Sequence, residues 1–334
     1  MSKWRLAGSA ATLCCKGRRM QRRKNKLAGA AALILTAVLL PGCGQTAVKE
    51  DTAAATTMSE AVQADKTPEN VVALSKSNAS LWLLAGGKLA GTTDDAMGLE
   101  GITDDVTDLG DMDSVSAEAV LDLSPDLVIL FSTDPSQNAL GEQLKDLGLN
   151  VAFMNIDNFA DYADAMKSFT DLTGRDDLYE KNVTDVQSAI DQVIEKVPED
   201  QKGQTYLTLR VSATKNKVLK GDDFTTEIFD NLSMVNVAED TSALDDMSLE
   251  AISDADPDWI FVIPRGKEED ALQSFSDQFE TQDAWSELSA VKNNHVVILP
   301  RDLFGLKPNN RWAESYQKAF DTVYGSGIDA DENQ

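Results

Sequence analysis

Two stretches of this 334-residue chain repeat one another: residues 116–130, SAEAVLDLSPDLVIL, and residues 248–262, SLEAISDADPDWIFV. Each opens on a serine suited to cap a helix, runs through a short apolar-periodic segment, and passes a Pro-Asp pair into an unbroken apolar run. A helix feeding a continuously apolar strand is the unit of a parallel sheet covered on both faces. Two copies so far apart predict two α/β halves. The flanking sequence extends the pattern. In the first half, apolar runs at 71–74, 88–92, 127–131 and 151–154 read as strands, with helices over 81–85, 116–123 and 140–147. In the second, strands fall at 205–211 and 259–263, a short partner at 218–219, a strand start at 235–237 and a further strand at 296–299. Helices are expected there over 224–232, 248–252 and 311–324.

Between the halves the rhythm is helical alone. Leu178, Val183, Val186, Ile190, Val193, Ile194 and Val197 recur at three- and four-residue steps and make one apolar stripe. As one helix, residues 176–197 would span about 33 Å, a rigid strut stopped by Pro198. The expected fold class is therefore α/β: two lobes with mainly parallel sheets covered by helices, joined by one long rigid helix.

A different kind of segment precedes all of this. Residues 21–26 are strongly basic, and residues 27–40 are uncharged and almost all apolar. A positive stretch, a short apolar core and small residues at its end describe a secretory leader, too short to span a bilayer permanently. It ends in Leu40-Pro41-Gly42-Cys43, which resembles a bacterial lipobox, so Cys43 is expected to be diacylated and to become the mature N-terminus. Met1 and Met20 both stand as possible starts. The expected organisation is a leader over 1–42, a lipidated flexible tether over 43–67, lobes over 68–158 and 203–325 with a helical linker over 159–202, and a tail over 326–334. The Ala- and Thr-rich tether is too poor in large apolar groups to offset its ordering entropy.

The leader carries nine of the chain's 30 basic residues and none of its 56 acids, so the part after it has a formal charge of −35. Nucleic acid and anionic membrane surfaces would repel such a chain, leaving the lipid anchor as its membrane contact. Beyond Cys43 there is no cysteine, and His295 is the single histidine. A bare transition-metal site draws on such ligands, so metal is expected to arrive already chelated, and no resident cofactor or metal site is expected. No phosphate loop, Gly-x-Ser-x-Gly elbow or paired-histidine motif points to an enzyme. The Asp-Asp pairs, such as 94–95 and 222–223, read as solvated surface.

Several segments in one order carry a family resemblance. NVVALSKSNASLWLLAGGKLAGTTDDA, the repeated helix–strand unit, LTGRDDL before the strut, DDFTTEIFDNLSMVNVA and AVKNNHVVILPRDLFGLKPNNRWAESY together resemble the substrate-binding lipoproteins of ABC importers for iron–siderophore, haem and cobalamin. The resemblance covers about residues 68–324. It implies a monomeric, lipid-anchored extracytoplasmic receptor, not an enzyme, that holds a small-molecule metal chelate between its lobes and delivers it to an ABC permease. The ligand would lie at the strand ends. That points to Lys76, Ser77, Asn78 and Trp82 after the first strand, Thr93 and Asp94 after the second, and Ser132 and Thr133 after the third. The family's first docking acid falls on Ser80 here, which weakens that half of the docking scheme. The second falls in the helix at 224–232, where Glu227 and Asp230 share a face.

Nine basic residues on loops or strand ends of the second half stand out in so acidic a chain: Arg210, Lys215, Lys217, Lys220, Arg265, Lys267, Arg301, Lys307 and Arg311. Guanidinium groups suit carboxylate or catecholate oxygens, so an anionic, oxygen-rich chelate held mainly by the second lobe is expected. Arg210, Arg265, Lys307 and Arg311 are the candidates, with Phe304 and Trp312 against an apolar ligand face. Lys215 and Lys217 read as a hairpin edge. A ferric siderophore leads; haem or cobalamin is the alternative within the family, and a surface adhesin is the alternative from a different class. For the anchor, Cys43→Ala is expected to release the protein into the medium or leave it unprocessed. Membrane retention with normal processing, read by fractionation and mass, would overturn that expectation.

Overall fold

In the first lobe, alternate residues of each strand feed opposite layers. Val71 and Ala73 of β1 (Val71–Ala73) join one apolar cluster while Val72 joins another. β2 (Leu89–Thr92), β3 (Thr107–Asp108), β4 (Leu127–Phe131) and β5 (Val151–Met154) complete a sheet in the order β3-β2-β1-β4-β5, parallel throughout. The chain steps outward from β1 to β3, then crosses back to β4 on the other side of β1. That reversal opens a crevice beyond the C-terminal ends of β1 and β4.

The second lobe repeats the plan less regularly. Its strands are β6 (Thr205–Val211), β7 (Lys217–Val218), β8 (Val235–Asn236), β9 (Trp259–Pro264) and β10 (Val296–Ile298). β6 pairs parallel with β9, and β9 with β10. The other edge of β6 is shared: β8 runs parallel to its start and β7 antiparallel to its end. Trp259, Phe261 and Ile263 face one layer, Ile260 and Val262 the other. By the same alternation Arg210, two residues from Thr208 and four from Tyr206, shares the face on which Tyr206 packs.

The computed structural model describes residues 67–221, 223–239, 241–245 and 247–325, all within one unit. The expected leader, Cys43, nearly all of the expected tether, Asp222, Asp240, Asp246 and the tail lie outside the described residues. Helix starts differ from the sequence reading because polar side chains cap them earlier. Ser75 accepts from the Asn78 amide and starts a helix at Lys76–Leu84, so residues read as loop form its first turn. Asp134 caps Pro135–Asp146, five residues before the expected start, with proline at the first position where its missing N–H costs nothing.

Helix Phe159–Thr173 ends at Gly174, whose φ of 70° closes it in the left-handed region. The strut follows, and it differs from the uniform helix read over 176–197. It runs Asp176–Tyr179, a π-turn Glu180–Thr184, and Asp185–Ile194. At the π-turn, side chains enter the ladder: Tyr162 donates to the Asn182 carbonyl at 2.9 Å, and Asn182 Nδ2 donates to the Leu84 carbonyl at 3.0 Å. Past Ile194 the chain tightens into i→i+3 turns, the Lys196 amide donating to the Val193 carbonyl and the Val197 amide to the Ile194 carbonyl at 3.1 Å each, before Pro198. The helical path is thus about 28 Å. Helix Trp312–Tyr324 packs along its second part. One apolar cluster runs from Val71 and Trp82 through Phe169 and Ile190 to Phe229 and Phe261, so a single core joins the strut to both sheets.

Candidate functional site

A cavity of about 680 Å³ lies between the lobes, walled by the ends of strands from both sheets. The first lobe contributes Ser75, Lys76 and Ser77 after β1, Asp95 after β2, Thr133 and Asp134 after β4, and Asn155 and Asp157 after β5. The second contributes Arg210 from β6, Lys217 from β7, Asp223, Phe224, Arg265 just past β9, Arg301 past β10, and Lys307. The first wall carries three acids and one base, the second five bases and one acid. Against a chain that is acidic overall, this concentration of cations is the site's defining feature.

The cations are not equivalent. Arg210 Nη2 donates to Asp223 Oδ2 at 2.8 Å, and Asp223 Oδ1 accepts the Thr225 amide at the start of helix Phe224–Asn231. Lys307 Nζ sits 4.8 Å from the centroid of the Phe224 ring and 3.8 Å from Asp157 Oδ1 of the opposite wall. Burial pushes the Lys307 ammonium below the usual lysine range, against the pull of Asp223 and Asp157. Among the described residues, Arg265, Arg301, Lys217 and Lys76 have no ion-pair partner. Three of these come from the second lobe. They line the cavity without a direct ion pair, though Arg265 acts at longer range on the Asp134 carboxylate of the opposite wall. Two of the first wall's acids, Asp95 and Asp134, accept backbone amides of their own lobe. Asp95 accepts the Lys76 amide and the Thr93 hydroxyl. Burial pushes the Asp134 carboxyl up, yet the Ser136 hydroxyl, the Gln137 and Ser136 amides and the Arg265 charge outweigh it and hold Asp134 below the usual range.

Of the residues singled out from the sequence, Lys76, Ser77, Thr133, Arg210, Arg265 and Lys307 line this cavity. The others sit elsewhere. Trp82 is wholly buried, donates to the Lys88 carbonyl at 2.8 Å and meets Phe169 edge-on. Phe304 packs in the aromatic stack with Phe229. Trp312 is buried between Phe159 and Phe224, and Asn78 lies buried beneath the cavity floor. Thr93 is buried, Asp94 is exposed in a turn, and Ser132 donates to the Met154 carbonyl at 3.2 Å. Arg311 pairs with Glu314 at 2.9 Å on its own helix, outside the cavity. Aromatic and amide side chains serve core and site alike, so residue type alone did not separate the two. Arg301, Lys217, Met112, Asp134 and Asp157 were not singled out as ligand contacts, though all line the cavity. Arg301 follows β10 much as Arg265 follows β9, and that parallel was legible; Lys217 read as hairpin edge because its facing wall lies on the other lobe.

His295 lies at the far end of the second sheet. Its ring stacks on Trp259, the first residue of β9, at 3.8 Å, and its Nδ1 is 3.0 Å from the Asp258 carbonyl. The cavity is at the other end of that strand. Among its lining residues there is no His, Tyr or Cys, and Met112 is the one sulfur. Among the described residues no group of three or more His, Cys, Asp or Glu side chains converges as a metal site.

Glu227 and Asp230 hold different positions on their helix. Glu227 turns inward, and its Oε2 accepts the Phe159 amide at 2.9 Å, tying the start of helix Phe159–Thr173 to the second lobe. Asp230 is exposed and accepts the Tyr206 hydroxyl at 2.8 Å.

Comparison with known proteins gives a consistent set of likenesses. The periplasmic binding protein family matches residues 71–303. The chain is 29% identical over 314 residues to the uncharacterized ABC transporter substrate-binding lipoprotein YvrC of Bacillus subtilis, covering 88% of this chain and 96% of that protein. It is 25% identical over 228 residues to the Fe(3+)-citrate-binding protein YfmC of the same organism, covering 66% and 69%. The crystal structure of Staphylococcus aureus IsdE complexed with heme superposes with a TM-score of 0.68 at 20% identity, over 76% of this chain and 98% of that one.

Burial pushes the Glu227 carboxyl above the usual range; the Phe159 amide opposes this and Asp161 adds to it. A raised carboxyl binds more protons folded than unfolded, so its contribution is fully present below the unfolded value and is lost as pH rises through the folded one. Glu227→Gln keeps an acceptor for the Phe159 amide and sheds the buried charge. It is expected to leave stability at pH 7 unchanged or raised. Glu227→Ala orphans the amide and should cost about 1–3 kcal/mol. Urea unfolding of both variants between pH 4 and 8 checks this, and a Gln variant weaker than wild type at pH 7 would contradict it.

Proposed function

Because the chain belongs to the periplasmic binding protein family, and so captures a solute for an ABC importer, we propose that its solute is an anionic, oxygen-rich metal chelate of the ferric siderophore or ferric polycarboxylate kind. The observation that carries this reading is the set Arg265, Arg301 and Lys217, three cations on one cavity wall that form no direct ion pair among the described residues. Guanidinium forks match carboxylate or catecholate oxygens in bidentate geometry and bind through charge-assisted hydrogen bonds. The likeness to a Fe(3+)-citrate-binding protein supports the same class. The likeness in fold to a heme-binding protein supports haem instead. Haem iron calls for His, Cys, Tyr or Met at its axial positions, and Met112 alone on this cavity wall is a poor provision for it. Cobalamin presents an amide-fringed surface to which three unpaired cations are ill suited.

The receptor sits on the extracytoplasmic face through a diacyl anchor at Cys43 and hands its chelate to the permease. Asp230, exposed on the second lobe, is the docking acid in this reading, while Glu227 serves the internal tie. Asp230→Asn keeps the acceptor for Tyr206 and removes the charge. It is expected to bind ligand normally but to support slower, salt-sensitive uptake in vesicles reconstituted with the permease; wild-type uptake at all salt concentrations would place docking elsewhere.

For the ligand, tryptophan fluorescence titrations with ferric citrate, a ferric catecholate, haem and cobalamin decide between the classes. Ferric chelates are expected to bind, and Arg265→Ala is expected to weaken them by about 1.5–3 kcal/mol. Haem or cobalamin binding with no response to either chelate would overturn the proposal. So would an Arg265→Ala variant of unchanged affinity.

A further inference from the structure

Two of the second wall's cations are already paired with a carboxylate, and the two pairs differ in kind. Arg210 and Asp223 belong to the same lobe, and Asp223 also caps the helix beginning at Phe224. At 2.8 Å and largely buried, that pair is part of the lobe's own architecture. The partner of Lys307 arrives from the opposite wall. Asp157 follows β5 of the first lobe, and its Oδ1 lies 3.8 Å from Lys307 Nζ, outside hydrogen-bond range. Its Oδ2 accepts Asn155 Nδ2 at 2.7 Å, and its side chain keeps 40% of its exposure. Lys307 also sits over the face of Phe224, a contact that does not involve Asp157. Arg210, Asp223 and Asp161 are the other charges acting on it.

We propose that Asp157 stands in for the ligand's anion in the empty cleft: it occupies the Lys307 subsite across the lobes and is displaced when an anionic chelate binds. This rests on the reading of the cleft as an anion-chelate site and adds a residue that sets its selectivity. A pair 3.8 Å apart, with no hydrogen bond and with Asp157 partly open to solvent, is cheap to break. A ligand that brings a carboxylate or catecholate oxygen within hydrogen-bond reach of Lys307 replaces it with a stronger contact. A neutral ligand of the same shape breaks the pair and puts nothing in its place. Asp157 thereby raises the threshold for weakly charged solutes and leaves that for polyanionic ones nearly untouched. It also makes ligand arrival felt between the lobes, because the contact that is lost is one that crosses the cleft.

Calorimetric titration of ferric citrate into four full-length proteins tests this: wild type, Asp157→Asn, Lys307→Gln and the double variant. Asn at 157 can still accept from Asn155, so the turn after β5 is preserved. Asp157→Asn is expected to bind about two- to fivefold more tightly than wild type. Lys307→Gln is expected to bind more weakly, and the double variant to match Lys307→Gln with no gain from the second change. Unchanged or weaker binding by Asp157→Asn would overturn the inference, because Asp157 would then be inert or a ligand contact itself. The same gain appearing in the Lys307→Gln background would overturn it too, since the effect would be general repulsion and not competition for Lys307. Absence of ferric citrate binding to wild type alongside tight haem or cobalamin binding would remove the anion-chelate reading first, and this inference with it.

Discussion

The indole of Trp312 is the wedge on which the arrangement depends. It is wholly buried, with Phe159 edge-on at 5.6 Å on one side and Phe224 edge-on at 5.6 Å on the other. Phe159 starts the helix that packs on the first lobe through Phe169 and Trp82. Phe224 starts the helix that packs on the second through Phe229, which stacks on Phe261 at 4.0 Å. Aromatic packing of this kind dominates core energetics, and edge-on contacts add to the area buried. The core is therefore continuous from one sheet to the other, and the lobes can shift against each other by small sliding more readily than by wide hinge closure.

That junction also sets the floor of the cleft. Asn309, at a φ of 52°, donates from Nδ2 to the Ser77 carbonyl at 3.0 Å, so a turn of the second lobe grips the first turn of a first-lobe helix. Ser77 in turn faces the cavity. A left-handed asparagine and a cross-lobe hydrogen bond beside a buried tryptophan fix the two walls at one separation. The cavity between them is large enough for a small chelate and lined by groups whose own backbones are anchored.

Charge works at two scales in this molecule. The bulk acidity of residues 43–334 opposes the approach of an anion, an effect that salt screens beyond about 8–10 Å. Within the cleft the local field has the opposite sign, because Arg265, Arg301 and Lys217, from the ends of β9, β10 and β7 of one sheet, line one space. Between low-dielectric walls such a cluster acts more strongly than the same charges on open surface. The first wall's acids moderate it, Asp95 and Asp134 while also serving as backbone caps and Asp157 while facing Lys307.

The periodicity of apolar residues is local, so the alternation of strands and helices, the repeated unit, the two-lobed α/β class and the presence of a connecting helical segment were legible in the sequence. So was the position of a basic residue just past an apolar strand, as with Arg265, which lines the cavity. Helix starts were less legible where a polar cap preceded the apolar stripe, as at Ser75 and Asp134, and the π-turn at 180–184 depended on Tyr162 and Leu84 reaching in from other elements. The cavity wall was only half legible. Asn78, Phe304 and Trp312 have the chemistry of ligand contacts, yet all three are buried, Phe304 against Phe229 and Trp312 between Phe159 and Phe224. Asp157 and Lys307 are 150 residues apart in the chain, and nothing in either neighbourhood announces the other. Their pairing, like the division of the cations into those with and without a direct ion pair, follows from which strand ends the two sheets turn toward a common space. Only the tertiary structure decides that, because it depends on the orientation of whole lobes and not on any local propensity of the chain.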